Sequence, residues 1–137
     1  MPATILVIDD DAALRDVIRR TLERDGHRVV VARDGDEGLL IFRSAPCDLV
    51  ITDVFMPGKD GIETIQELRG QHPGLRIICM SGGASTGDMG PLTDARLLGA
   101  DIALPKPFAM ATLARAVKTL LGAGERRATG EVLEPGA

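Results

Sequence analysis

Aromatic residues are nearly absent: of 137 residues none is Trp or Tyr and three are Phe. Recognition of single-stranded nucleic acid by base stacking therefore has little to work with. A net charge of −4 and a pI near 5.1 argue likewise against general nucleic-acid binding, which favours a basic face. Two cysteines, Cys47 and Cys79, are too few for a disulfide framework. Cys79 lies within Ile77-Ile78-Cys79-Met80 and reads as a small buried hydrophobe, whereas Cys47 falls in a loop signal. No apolar run approaches the roughly 18 residues that a membrane span needs. Met1-Pro2-Ala3-Thr4 carries no basic region, and the apolar run after it contains Asp9 and Asp10, so no signal peptide and a cytoplasmic location are expected. What is present is ordinary for one soluble globular domain, with 45% hydrophobic and 26% charged residues.

Short apolar runs alternate with helical patterns along the chain. Ile5–Ile8 reads as a buried strand ending on Asp9-Asp10-Asp11, and a helix over 12–24 follows, with Leu14, Val17, Ile18, Thr21 and Leu22 on one face. Asp11 is its N-cap and Gly26 its stop. Val29–Val31 is a second strand. Asp34 and Glu37 then form a capping box for a helix reaching Ser44. Leu49-Val50-Ile51-Thr52-Asp53 is a strand apolar on both faces, broken by Pro57-Gly58. A helix over 62–71, a strand over 76–80, a helix over 91–98, a strand over 102–104 and a helix over 110–121 complete the pattern. Five strand–helix alternations with short connections call for an α/β fold, a doubly wound parallel sheet of five strands flanked by five helices. That domain covers residues 1–121. Residues 122–137 turn polar and Gly/Pro-rich and read as a flexible tail.

Right-handed crossovers bring every strand's carboxyl end to one edge of the sheet, where ligands bind in open α/β folds. Asp9, Asp10, Asp53, Ser81 and Lys106 therefore converge there. Taken alone, Asp53 reads equally as a turn residue, Asp9-Asp10 as a strand-end cap, Ser81-Gly82-Gly83 as a plain turn and Lys106 as a solvated loop charge. Together they form an oxygen-rich acidic set without thiol or imidazole, which suits Mg²⁺ and argues against zinc. A lysine and a hydroxyl beside such a set suit a tetrahedral phosphoryl group, with one carboxylate free to act as nucleophile. Met56 and Met80 read as core filler, and neither His27 nor His72 as a phosphohistidine.

Ile8-Asp9-Asp10, Asp53-Val54-Phe55-Met56-Pro57-Gly58-Lys59-Asp60-Gly61, Met80-Ser81-Gly82-Gly83 and Leu104-Pro105-Lys106-Pro107-Phe108 resemble the receiver domain of two-component response regulators, in order, over residues 3–121. The resemblance implies the flavodoxin-like strand order 2-1-3-4-5. It makes Asp53 the phosphoacceptor, Asp9 and Asp10 the acidic pair holding Mg²⁺ (Asp10 the more direct ligand), and the backbone carbonyl of Phe55 a further metal ligand. It makes Ser81 and Lys106 the partners of the phosphoryl group and implies a cis Lys106–Pro107 bond. The expected partners are a sensor histidine kinase or a histidine phosphotransfer protein, and a downstream protein met by the face of the fourth helix, fifth strand and fifth helix, with homodimerisation left open.

Two positions depart from the family pattern. Ala103 stands where an aromatic usually reports phosphorylation. The interval from Ser81 to Lys106 is a few residues longer than usual, and its Gly83–Gly90 stretch suits an order–disorder switch. Phe55 is expected to exclude water from an acyl phosphate and lengthen its life. The expected function is that of a stand-alone receiver that catalyses its own phosphorylation and dephosphorylation and signals by protein contact, a signalling protein and not a metabolic enzyme. Three other readings stay open: a phosphorelay shuttle, a receiver-like binding module that no longer cycles phosphate, and an Mg²⁺-dependent phosphohydrolase. The last needs an acid or base where Phe55 stands.

Overall fold

The computed structural model describes residues 2–54, 61–81, 99–122 and 131–132. In chain order the elements are β1 (Thr4–Ile8), α1 (Ala12–Arg24), β2 (Arg28–Ala32), α2 (Gly35–Ser44), β3 (Leu49–Asp53), α3 (Gly61–Gln71), β4 (Arg76–Ser81), β5 (Ile102–Pro105), α4 (Met110–Gly122) and β6 (Glu131–Val132). All strands are parallel, in the order β2-β1-β3-β4-β5-β6. The order 2-1-3-4-5 holds, and every strand and helix expected within the described residues lies within a residue or two of its predicted bounds. The helix expected over 91–98 lies outside the described residues, so α4 is the chain's predicted fifth helix. The sheet also differs from expectation: it has a sixth, two-residue strand, drawn from the segment read as a polar tail. The physical reason is that β5 would otherwise end the sheet with a row of unsatisfied backbone groups, to which an extended segment can add.

Alternation along the strands divides the core in two. Ile5, Val7, Ile51, Ile78 and Leu104 face α1 and α4, where Ile18, Leu22, Leu113 and Val117 meet them. Leu6, Ile8, Val50, Ile77 and Ala103 face α2 and α3, where Leu39, Phe42, Ile65 and Leu68 meet them. All five residues of β3 are buried, as its central place demands. The helical stripes are narrower than the sequence implies. Val17 and Leu40 flank them at 45% and 66% exposure, while Ile18 and Leu22, one turn apart, are fully buried.

Capping fixes where the helices begin. The Asp11 carboxylate accepts from the backbone of Ala13 and Leu14, and that of Asp34 accepts from Glu37. The Glu37 carboxylate reaches back to the N–H of Arg33 at 2.8 Å, one residue beyond the usual capping-box partner. Cys79 is buried and Cys47 half-buried, and both are free thiols. Burial pushes their pKa values up, to about 12 for Cys79 and about 11 for Cys47, so neither is a reactive thiolate at neutral pH.

Candidate functional site

β1 and β3 are adjacent, so their carboxyl ends deliver Asp9 and Asp53 side by side. Asp9 is fully buried, Asp53 is 6% exposed, and Asp10 is exposed, one residue further along the turn. Carboxylate oxygens of Asp9, Asp10 and Asp53 all lie within 4.8 Å of one another. From the end of β5, the Lys106 ammonium donates to Asp9 Oδ2 at 3.1 Å and to Asp53 Oδ2 at 3.1 Å. The bland reading of Lys106 as a solvated loop charge fails on these two bonds. The Lys106–Pro107 peptide is cis.

Backbone groups hold the acids in place. The Asp11 N–H donates to Asp9 Oδ1 at 2.8 Å, so both oxygens of that buried carboxylate carry a donor. Arg15, one turn into α1, donates from Nη1 to the Asp9 carbonyl at 2.7 Å and fastens the loop to the helix. On the other side, the Gly61 N–H donates to the Val54 carbonyl at 2.9 Å and holds the start of α3 against the end of β3. A Cβ at Gly61 would collide with the Asp53 carbonyl, so only glycine lets α3 start this close to the strand end.

The electrostatics of the site are dominated by burial and by the crowding of like charges. Burial is the largest influence on Asp9 and raises its pKa; the charge of Asp53 adds to the rise, while the Asp11 amide and Lys106 oppose it. Burial alone would lower the pKa of Lys106, but the Asp53 and Asp9 carboxylates more than reverse this and hold it above the ordinary lysine value. Three carboxylates face one bonded ammonium among the described residues, an excess of negative charge that a hard cation would relieve. The donors fit such an ion: they are all oxygen, and the exposed Asp10 keeps one side open to its waters. A cleft of about 330 Å³, lined by Asp11, Leu14, Lys106, Pro107 and Phe108, opens beside the ammonium. A larger cleft of about 810 Å³ lies at the opposite edge, among His27, Asp48, Arg76 and Lys118, and gathers no comparable set of acids among the described residues. Size does not locate the chemistry here.

Of the residues singled out in the sequence, Asp9, Asp10, Asp53 and Lys106 meet at one point. Ser81 ends β4 on the same edge, in register with Pro105. Phe55 and the glycine-rich stretch over 83–90 lie outside the described residues. Arg15 and Gly61 support the site but were not read from the sequence as parts of it. Their signals were present: an arginine one turn after an acidic strand end, and a glycine at the first position of a helix, where a side chain is normally tolerated.

Comparison with known proteins follows the same lines. Residues 5–118 match the family described as response regulator receiver domain. The response regulator MprA of Mycolicibacterium vanbaalenii is 40% identical over 135 residues, covering 93% of this chain and 57% of its own. MprA of Mycobacterium tuberculosis H37Rv is 40% identical over 121 residues, covering 88% of this chain and 51% of its own. The chain thus spans about half the length of the curated relatives it matches. A response regulator receiver domain protein from Clostridium thermocellum superposes with a TM-score of 0.78 at 34% identity, covering 85% of this chain and 92% of that one. Chemotaxis response regulator CheY4 of Vibrio cholerae does so with a TM-score of 0.78 at 28% identity, covering 87% and 98%.

Proposed function

The chain belongs to the response regulator receiver family of two-component signalling, and on that premise we propose that it takes a phosphoryl group from a sensor kinase's phosphohistidine onto Asp53. The observation that carries this is the Lys106 ammonium bonded at 3.1 Å to both Asp9 and Asp53, which gathers opposed charges around the Asp53 carboxylate. An Asp53 oxygen attacks phosphorus, the P–N bond of the donor breaks, and the leaving imidazole takes up a proton. Asp9 and Asp10 would hold Mg²⁺ together with Asp53 and the Phe55 carbonyl. The ion, when bound, supplies positive charge to phosphoryl oxygens.

Within the chain, Lys106 keeps Asp53 oriented before transfer and pairs with a phosphoryl oxygen after it, and the Ser81 hydroxyl donates to another. Asp9, closed to solvent and held by the Asp11 amide, is the positioned acid, while Asp53 is the one of the two buried acids nearer to solvent. Water attack on phosphorus reverses the modification: the P–O bond to Asp53 breaks and inorganic phosphate leaves. The protein acts in the cytoplasm, and its output passes by contact through the face that includes β5 and α4. Ala103 favours a second reading, a receiver that binds partners without cycling phosphate.

Acetyl phosphate with Mg²⁺, followed by intact mass, separates the two. The expected result is a gain of one phosphoryl group that EDTA and Asp53→Asn each abolish. No gain in the intact protein, or an undiminished gain in Asp53→Asn, sinks the proposal.

A further inference from the structure

Asp10 is the exposed member of the acid group, so burial does not hold its carboxylate beside those of Asp9 and Asp53. Its backbone is held instead, on both sides. The Asp9 N–H still pairs with the Ala32 carbonyl at 3.1 Å, but the Asp9 carbonyl lies beyond the end of β1 and accepts from Arg15 Nη1 at 2.7 Å. After Asp10, the Asp11 N–H donates to Asp9 Oδ1 at 2.8 Å. Each of the two peptide units that flank Asp10 thus carries a hydrogen bond, and a planar unit pinned at one atom has little freedom left.

Among the described residues, Arg15 is the side chain outside the acidic triplet that joins this clamp, and the start of α1 places it. Asp11 Oδ1 accepts from the Ala13 and Leu14 amides, and the Asp11 carbonyl accepts from the Arg15 amide at 3.0 Å. From that fixed position the half-buried guanidinium turns back to Asp9. A guanidinium offers donors only and cannot ligate a metal. Its charge opposes a nearby cation, whereas its bond orders a cation ligand. The two effects have opposite signs for metal affinity.

We propose that Arg15 is a positioning residue for Asp10: its bond to the Asp9 carbonyl fixes the Asp9–Asp10 peptide and so presents the Asp10 carboxylate, already in place, to a divalent cation. The gain comes from order, because a ligand held before binding loses less freedom on binding. This inference rests on the reading of the acid group as the Mg²⁺ site of phosphoryl transfer.

Amide NMR of the full chain, without phosphodonor, tests it apart from transfer to Asp53. Titration with MgCl₂ reads affinity, and ¹⁵N relaxation in EDTA reads the order of the Asp10 amide, which belongs to the peptide Arg15 holds. Arg15→Met removes donor and charge. It should bind Mg²⁺ about tenfold more weakly than wild type. The Asp10 order parameter should fall from about 0.85 toward about 0.6, with β1 unchanged. Arg15→Lys, which keeps the charge and one donor group, should recover part of both losses. Circular dichroism checks that each variant is folded, and Arg15→Gln takes the place of Arg15→Met if that variant is not. Unchanged or tighter Mg²⁺ binding in a folded variant overturns the proposal, because the guanidinium then acts as a repelling charge or not at all. A weaker affinity with the Asp10 amide as ordered as before also overturns it. Wild type that binds no Mg²⁺ overturns the metal reading itself, and this proposal with it.

Discussion

Two groups of buried charge occupy opposite edges of one sheet. At the amino-terminal edge, Asp101 is fully buried just before β5 and meets Arg69 from α3 at 3.2 Å. Arg69 also donates to the carbonyls of Gly99, Pro73 and Leu75, so all five guanidinium N–H groups are engaged. The same Asp101 oxygen accepts from the Ile77 amide at 2.8 Å. Gly99, at φ 96°, turns the backbone so that its carbonyl reaches the arginine. At the carboxyl-terminal edge, three acids crowd around one bonded ammonium, and the pKa of the buried Asp9 is raised. The first cluster is balanced and closed, and it ties α3 to the starts of β4 and β5. In the second, the acids outnumber the bonded ammonium among the described residues, and it is the site proposed above for phosphoryl transfer. The two clusters differ in how closed they are: Asp101 lies wholly inside, whereas the second cluster reaches solvent through the exposed Asp10.

Removing a fully buried acid should therefore act with opposite sign at the two edges. The largest effect is expected for Asp101→Ala, which strands a largely buried guanidinium and the Ile77 amide. Urea unfolding should show a loss of about 3–5 kcal/mol. A loss under 1 kcal/mol would mean the closed cluster is not holding the strands together. Gly61→Ala comes next, at about 2 kcal/mol, because the added methyl meets the Asp53 backbone and not a movable side chain. Acetyl-phosphate labelling should fall with it, whereas Asp101→Ala should leave labelling of the folded fraction intact.

Asp9→Asn should instead stabilise, by on the order of 1 kcal/mol in EDTA, since it removes a buried like charge while Lys106 keeps Asp53. The sign follows from linkage. A carboxyl whose folded pKa is raised favours the fold below its ordinary 3.8 and loses that advantage as pH rises through the folded value. The variant's lead should thus be widest near neutral pH and vanish below pH 3.8. A lead that persists in acid would place its origin elsewhere. Saturating Mg²⁺ should narrow the lead, because the ion binds only the folded wild type with the full acid set. The smallest effect is alkaline. The pairing of Lys106 stabilises fully below pH 10.5 and is lost as pH climbs through its raised folded value. The balance between wild type and Lys106→Met should therefore shift toward the variant above pH 10.5, as read by thermal midpoints across that range.

Much of this was legible in local sequence. Apolar runs that end on charged residues, as at Ile8-Asp9 and Thr52-Asp53, carry both the strand and its site, because a buried parallel strand must be apolar until it emerges. The caps Asp11 and Asp34 and the stop at Gly26 are equally local, since capping needs only a side chain within three residues of its target. Convergence of Asp9, Asp53 and Lys106 followed from the handedness of crossovers, a rule about chains in general.

Other features had no local signature. Arg69 and Asp101 lie 32 positions apart, and nothing near either predicts the pair. The exposure of Val17 and Leu40 depends on how wide a stripe the sheet covers, which periodicity does not state. The segment at Glu131–Val132 is polar in composition, and only the open edge of β5 gives it a strand to join. By itself, then, the sequence determined the order of the elements and which chemical groups stand at their ends, because those choices are made over a few neighbouring residues. Tertiary structure decided which charges are neutralised, which stay in excess and which edge is covered, because each depends on groups that meet only when distant stretches of chain pack together.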